Sequence, residues 1–248
     1  MASASVIKNN LETYRTKLVF RNEVTGNLAY IDYINGTLSV TEILDTIDSY
    51  HPDISPDGRL VVFCTGMEGV PGKSEAYIRP LSLSKVRPLK VSVMGNVSIP
   101  RWRLLDNGDT AIVYVTDAGD NKDESSFKSK STWQVTYTQG RFGKPQKLFD
   151  GAYHGGISDD NKLAVSGARL LRARIANPGG TLANGRDTVW YNGEQACNVS
   201  LANDGTKRVA FLDFGGKTGA EFVGKSYGTH ERLLIADSTG KLIKAIAS

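Results

Sequence analysis

The chain writes one turn four times, and this repetition limits its fold more than any other feature. The clearest copy is His51-Pro52-Asp53-Ile54-Ser55-Pro56-Asp57-Gly58-Arg59, followed directly by the apolar run 60–64. Partial copies are Leu105-Asp106-Asn107-Gly108-Asp109, Ile157-Ser158-Asp159-Asp160-Asn161-Lys162 and Leu201-Ala202-Asn203-Asp204-Gly205-Thr206, each leading into a short apolar run. With Asp57, Asn107, Asp160 and Asp204 in register, the steps are 50, 53 and 44 residues. Asp or Asn before Gly tolerates the positive φ angles of a tight turn. Pro56 presets the entry to the turn, and Ser55 and Asp57 have side chains able to bond nearby amides. Short strands joined by tight turns at this period are the mark of a β-propeller, with one sheet per repeat.

Further strands follow each turn. The first repeat offers 60–65, 75–81 and 89–93, and the second 110–116, 132–138 and 146–149. The third offers 163–168 and 189–191, and the fourth 208–214, 232–237 and 242–246. Residues 133–137 alternate as a half-buried strand does. The first fifty residues read as one more set, with strands at 17–24, 28–34 and 38–44 around Thr25-Gly26-Asn27 and the Asn35-Gly36 hairpin turn. The expectation is therefore an all-β, five-bladed propeller of four-stranded antiparallel blades, a single domain over residues 1–248. Residues 5–12 are the candidate for the innermost strand of the first set. The alternative is that the chain is a piece of a longer protein, since an open propeller leaves sheet edges unprotected.

The wording Pro-x-x-Ser-Pro-Asp-Gly-Arg followed by apolar residues, at Pro52 to Arg59, resembles the WD40-like repeat of the TolB-type β-propellers. One copy fits well and three fit in part, together touching most of the chain from residue 51 onward. The motif holds no catalytic residue, so the resemblance implies architecture first. It also implies export, although Met1-Ala2-Ser3-Ala4-Ser5 carries no charged-then-apolar signal segment. A periplasmic or cell-surface setting is expected on that basis, with the cytoplasm left open. Tyr153-His154-Gly155-Gly156-Ile157-Ser158, the stretch Trp190 to Cys197 and Leu212-Asp213-Phe214-Gly215 are similar to the propeller region of large bacterial surface lipoproteins of uncharacterised function. That second resemblance implies an exported, polysaccharide-related role.

Several function classes recede on simple grounds. No run of about eighteen apolar residues is present to span a membrane. The net charge of +4 is mild and, apart from Lys85-Val86-Arg87 and the cluster from Arg169 to Arg174, the basic residues are spread along the chain, without the basic stripe of a nucleic-acid binder. Two cysteines, Cys64 and Cys197, do not make a disulfide framework and read as buried thiols. Three long insertions interrupt the repeats. Residues 117–131 hold oxygen ligands at alternating positions but lack the order and the bidentate Glu of a calcium loop, so a solvated acidic loop is expected. The insertion 176–186 carries no recognised motif. Gly215-Gly216-Lys217-Thr218 lacks the earlier glycine and following helix of a phosphate loop. No metal and no cofactor are expected.

Chemistry concentrates just before the repeated turns, where the innermost strand of a blade lines the central channel. His51 stands three residues before Ile54, and His154 three before Ile157. Asn198 holds that place in the fourth repeat, and Ile99 or Pro100 in the second, where the spacing slips. His51, Asp53, Arg101, Trp102, His154 and Asn198 are the candidate ligand-binding residues, suited to a small anion, a sugar or a metal. The plainer role for the two histidines is to satisfy backbone groups between blades, and it is favoured. Trp102 offers a platform for a sugar ring or simple packing bulk. Asp53 and Glu194 are the weak catalytic candidates, with Asp106 behind them, because a glycosidase needs only two well-spaced carboxyl groups. No Gly-x-Ser-x-Gly elbow or other nucleophile motif is present. The reading is a monomeric, non-catalytic propeller module that binds a protein or polysaccharide at its channel mouth and loops, the alternative being a polysaccharide-active glycoside hydrolase.

Overall fold

The repeated turn closes through the side chains that make it recognisable. In the computed structural model, which describes residues 16–33, 39–44, 47–68, 70–82, 86–191, 196–213 and 232–247, Ser55 Oγ donates to Asp57 Oδ1 at 2.6 Å. Asp57 Oδ1 then accepts the Arg59 N–H at 3.1 Å, Ser55 Oγ accepts that of Leu60 at 2.9 Å, and Gly58 takes φ 70°. Ser158 and Asp160 repeat the arrangement before Leu163. Asn107 and Asp204 hold the Asp109 and Thr206 amides in the same way. These bonds hold the Asp57 and Asp204 carboxyl groups below the usual carboxylate range, and Asp160 is held there, against its desolvation, by Lys207 first and then by its turn bonds.

Between the turns the chain forms five antiparallel sheets, the blades of a β-propeller. The first contains β1 (Thr16–Arg21), β2 (Leu28–Tyr33) and β3 (Val40–Ile43). The second contains β4 (Tyr50–Ile54), β5 (Leu60–Cys64), β6 (Ala76–Pro80) and β7 (Leu89–Lys90). In the third, β8 (Ser98–Leu104), β9 (Thr110–Val115) and β10 (Ser131–Thr138) are followed by an outer edge shared between β11 (Arg141–Phe142) and β12 (Gln146–Asp150). The fourth has β13 (Gly156–Ile157), β14 (Leu163–Gly167), β15 (Leu171–Ile175) and β16 (Arg186–Tyr191), and the fifth β17 (Ala196–Leu201), β18 (Val209–Asp213), β19 (Arg232–Ala236) and β20 (Leu242–Ala247). One expectation is corrected here. Residues 189–191 belong to the fourth strand of their blade, and the Arg-rich stretch before them is the third, β15.

The four marked turns share one rim. Asn161 reaches Asp106 of the preceding blade at 3.4 Å, and Lys207 bonds Asp160 from the following one. In the first blade, Lys17 at the start of β1 donates to Gly58 O at 3.1 Å, on the turn rim, while Arg21 at its end lies over the Tyr50 ring at the start of β4. β1 therefore runs against the direction of β4, as a second strand does. Residues 5–12, the candidate innermost strand of this blade, lie outside the described residues.

Each full inner strand that spans its sheet is kinked. In the β4–β5 pair the register runs from Tyr50↔Cys64 to Asp53↔Val62, so His51 and Pro52 oppose Phe63 alone. Ile99 and Pro100 oppose Tyr114, and Asn198 and Val199 oppose Phe211. All three aromatic rings are fully buried. The first residue of each pair takes a left-handed φ: His51 50°, Ile99 45° and Asn198 49°. For a β-branched residue such as Ile99 this is a real outlier, of order 1–2 kcal/mol, held by the packing around it. Such bulges bend a strand and re-aim its side chains.

Blades pack closely where the fourth meets the fifth. A Cβ placed on Gly167 would lie 2.2 Å from Val199 Cγ2, so the missing side chain is what admits Val199. The loop at 117–131 keeps its acidic side chains in solvent, as expected, and also acts as a clasp between the third and fourth blades. Asn121, only 2% exposed, donates to Leu170 O at 2.7 Å and accepts the Arg169 and Leu170 amides at 3.0 and 2.8 Å. Arg172 Nε donates back to Asn121 O at 2.8 Å. A short helix, α1 (Glu124–Ser129), is capped by Asp123 and buries Phe127 against Tyr153. Asn121→Ala leaves buried groups unmatched and should lower stability by about 2–3 kcal/mol, read as a shift in the denaturation midpoint without a change in slope.

Candidate functional site

Where the inner strands reach the turn rim, they enclose a cavity of about 350 Å³. Asp53 and Pro56 line it from the second blade, Arg101 and Leu104 from the third, Gly156 and Asp159 from the fourth, and Ser200 and Asn203 from the fifth. Four blades thus converge on one mouth. Pro56, Asp159 and Asn203 each stand one residue before the Asp that closes the repeated turn, a shared register position that marks a common aim. That signal was present in the sequence. Leu104 adds a large exposed apolar side chain, 47% accessible, at the lip.

Asp53 ties two blades together. Its Oδ2 accepts the Trp102 N–H at 2.7 Å, and its Oδ1 stands 3.6 Å from Arg101 NH1. Loss of water pushes the carboxyl up, against the opposing pull of Arg101 and of the Trp102 and Ile54 amides. Arg101 has few other calls on it: its Nε donates to His154 O at 3.4 Å, and 22% of its side chain is accessible. His51 and His154 lie deeper along the axis. His154 is buried, and the His51 Nε2 is buried with no hydrogen-bond partner. Burial first, then the Arg101 charge, holds the His51 imidazole neutral with its pKa down to about 4, and His154 goes to about 3, with His51 and Lys130 adding to the same effect.

The other expected residues divide. Asp53 and Arg101 meet at the mouth, with the His154 backbone beside them. The Trp102 ring does not serve as an open platform: it is 5% exposed, in the core between the second and third blades, edge-on to Tyr137 at 5.8 Å. It contributes its backbone amide instead. Asn198 is exposed at the bulge, while Ser200 and Asn203 face the cavity. Glu194 lies outside the described residues, as does the Gly215-Gly216-Lys217-Thr218 loop. Among the described residues no cluster of three His, Cys, Asp or Glu side chains is placed to hold a metal ion. Cys64 is buried and Cys197 half-buried, neither in a disulfide.

A second cavity, of about 680 Å³, occupies the opposite end of the same strands. Tyr50 and Ser98, the first residues of β4 and β8, line it together with Met67, Lys73, Asn96 and Asp117. Glu68 nearby is pushed up by burial and by the Asp117 charge. The bulges at His51 and Ile99 stand between the two cavities.

Comparison with solved structures places this arrangement. The chain superposes on TolB from Acinetobacter baumannii with a TM-score of 0.51 at 16% identity, covering 94% of this chain and 55% of that one. The fold is TolB-like. Hydrazine synthase from Kuenenia stuttgartiensis (TM-score 0.52, 12% identity, 93% and 62% covered) shares it. So does the periplasmic gluconolactonase PpgL from Pseudomonas aeruginosa (TM-score 0.51, 12% identity, 90% and 64% covered). The chain spans less than two thirds of the length of each of these three. No protein-family profile and no curated protein matches the sequence. At these identities the likeness speaks for the fold alone, and one fold carries many functions.

The two neutral histidines give this TolB-like fold a defined acid response. A histidine near 6.5 when unfolded and near 3 or 4 when folded binds its proton more readily in the unfolded chain, so stability rises with pH between those values. It is full above about pH 6.5 and is lost as pH falls toward the folded values. From pH 7 to pH 5 the two together should remove of order 3 kcal/mol. Thermal melts across that range should show the fall, and His154→Gln, which does not titrate, should roughly halve it, leaving the part due to His51.

Proposed function

We propose that this domain is a non-catalytic binding module that takes a protein ligand at the cavity formed by four inner strands on the turn rim. The convergence of Asp53, Arg101, Asp159 and Asn203 beside the exposed Leu104 carries the reading. Recognition sites combine an apolar anchor with a few placed polar groups, and this mouth offers both. A sugar ligand is less well supplied, because the Trp102 ring that would stack on it is packed in the core.

The hydrolase alternative finds little help from Asp53. Its carboxyl group faces Arg101 and holds the Trp102 amide of the next blade. Burial raises the Asp53 carboxyl as a general acid requires, but a general acid also needs an oxygen free to reach the substrate, and both Asp53 oxygens are engaged, by the Trp102 amide and by Arg101. An exported setting accords with the TolB-like architecture and with the periplasmic location of the Pseudomonas aeruginosa neighbour.

A photo-crosslinking residue at position 104 tests the binding face. It should join the domain to a discrete protein partner in cells of the source organism, whereas the same residue at the exposed position 243 of β20 should not. Equal crosslinking from both positions contradicts the assignment. Incubation with xylan, cellulose and mixed-linkage glucan should release no sugar. Hydrolysis that disappears in a folded Asp53→Asn variant would establish the enzyme instead.

A further inference from the structure

The four repeated turns set one residue each at the same place on the rim, and these four residues differ in kind. Pro56, Asp106, Asp159 and Asn203 all stand one position before the residue that closes the turn. Three of them line the mouth cavity, where Leu104, Ile157 and Leu201 supply apolar wall. Asp106, the remaining one, lies next to the fourth blade, whose Asn161 Nδ2 donates to its carboxylate at 3.4 Å. The cations around this mouth are already matched. Arg101 stands against Asp53, Lys207 against Asp160, and the Lys162 Nζ donates to Gly180 O at 2.8 Å. Asp106 and Asp159 are exposed, and among the described residues neither enters an ion pair. Arg103, beside Leu104 in β8, feels both carboxylates, but it is 5% exposed and donates to Gln134 at 3.1 Å. Two exposed carboxylates near one buried guanidinium leave a negative charge unmatched at the edge of an apolar cavity.

We propose that the mouth takes a protein segment in which an apolar side chain stands next to a lysine or arginine, the apolar group seated beside Leu104 and the cation held at Asp106 and Asp159. The proposal rests on the binding-module reading and names the chemistry of the partner. A cavity of about 350 Å³ has the size of a small ligand site and admits one or two side chains. The carboxylates then decide which segment enters. A cation there meets two acids from neighbouring blades, whereas an acidic segment meets two like charges and is repelled. The turn itself does not call for an acid at this place, because Pro56 and Asn203 fill it in the second and fifth blades. Two like charges on adjacent turns work against the free domain, and a basic partner removes that repulsion. With Pro56 uncharged, only the side of the mouth toward the third and fourth blades is acidic, so the segment has a preferred orientation.

The probe is the uncharged-ended peptide acetyl-Ser-Leu-Lys-Ser-amide, followed through the backbone amide resonances of Leu104, Asp106, Asp159 and Asn203 by NMR. Saturable shifts of these four are expected, with the amide of Ile243 on β20 unmoved. Gln in place of the peptide's Lys should weaken binding by about twofold to fivefold, the worth of an exposed ion pair, and Glu should weaken it further. Ala in place of its Leu should weaken binding by about fivefold or more. The gap between the Lys and Gln peptides should close as salt is raised. Asp159→Asn and Asp106→Asn should each narrow that gap while leaving the Gln peptide's affinity unchanged, which separates loss of charge from loss of structure. Where one variant does not fold, the other decides. A Glu peptide that binds as tightly as the Lys peptide overturns the proposal, as does a gap that survives the substitutions. Absence of shifts with every peptide overturns it equally. The crosslinking test at residue 104 judges the binding face separately: a discrete partner captured there, with no preference among the peptides, keeps the face and removes this proposal.

Discussion

An innermost propeller strand has a hydrogen-bonding neighbour on one side only, and the rest of this structure depends on how its other edge is satisfied. A buried amide left without an acceptor costs about 1–3 kcal/mol, a large share of the stability of any domain. Two solutions are visible. Leu201 of the fifth blade donates its N–H to Gly155 O of the fourth at 2.8 Å, backbone to backbone. Trp102 of the third blade donates to the Asp53 carboxylate of the second at 2.7 Å. The aspartate that sequence logic first offered for catalysis is thus a fastening between blades, with Arg101 as its counter-ion.

That fastening and the bulges act together. Bending β4, β8 and β17 over Phe63, Tyr114 and Phe211 lets the inner strands close on the axis while the aromatic rings fill the sheets behind them. The bend turns His51 inward without supplying a partner for its ring. In β4 and β8 it also stands between two cavities, the smaller at the turn rim and the larger at the opposite end of these strands. The cavity at the turn rim follows from solving a packing problem at the centre of a ring of sheets.

Much of this was legible in the residues. The Ser-x-Asp-Gly wording announced turns that close through those side chains, and the equal offsets of His51, His154 and Asn198 were visible before any coordinates. The slip in the second repeat has a simple cause: β8 carries two more residues between bulge and turn than β4, which moves Ile99 into the left-handed position. Other features depend on partners distant in sequence. Arg172 and Arg174 look like part of a charge cluster, yet they lie in β15 with their guanidinium groups over the Phe127 and Phe149 rings at 5.0 and 5.2 Å. Neither ring is near them in the chain. The clasp at Asn121 was hidden for the same reason, since its acceptors are the backbone of residues 169 and 170. Trp102 reads as a platform or as packing bulk; the strand's pleat turns its ring into the sheet-to-sheet core, while the residue still lines the mouth cavity.

The tie between blades at Asp53 is open to direct measurement through hydrogen exchange of the Trp102 amide. In the native protein this amide should be strongly protected, and Asp53→Asn should preserve most of that protection through its remaining carbonyl oxygen. Asp53→Ala should expose it, with exchange faster by about tenfold or more for the loss of a bond worth about 1.5–3 kcal/mol, while the amides of β9 in the same blade stay protected. Equal protection of the Trp102 amide in Asp53→Ala and in the native protein would contradict the account, because the inner strand would then be held by something other than its neighbour's carboxylate.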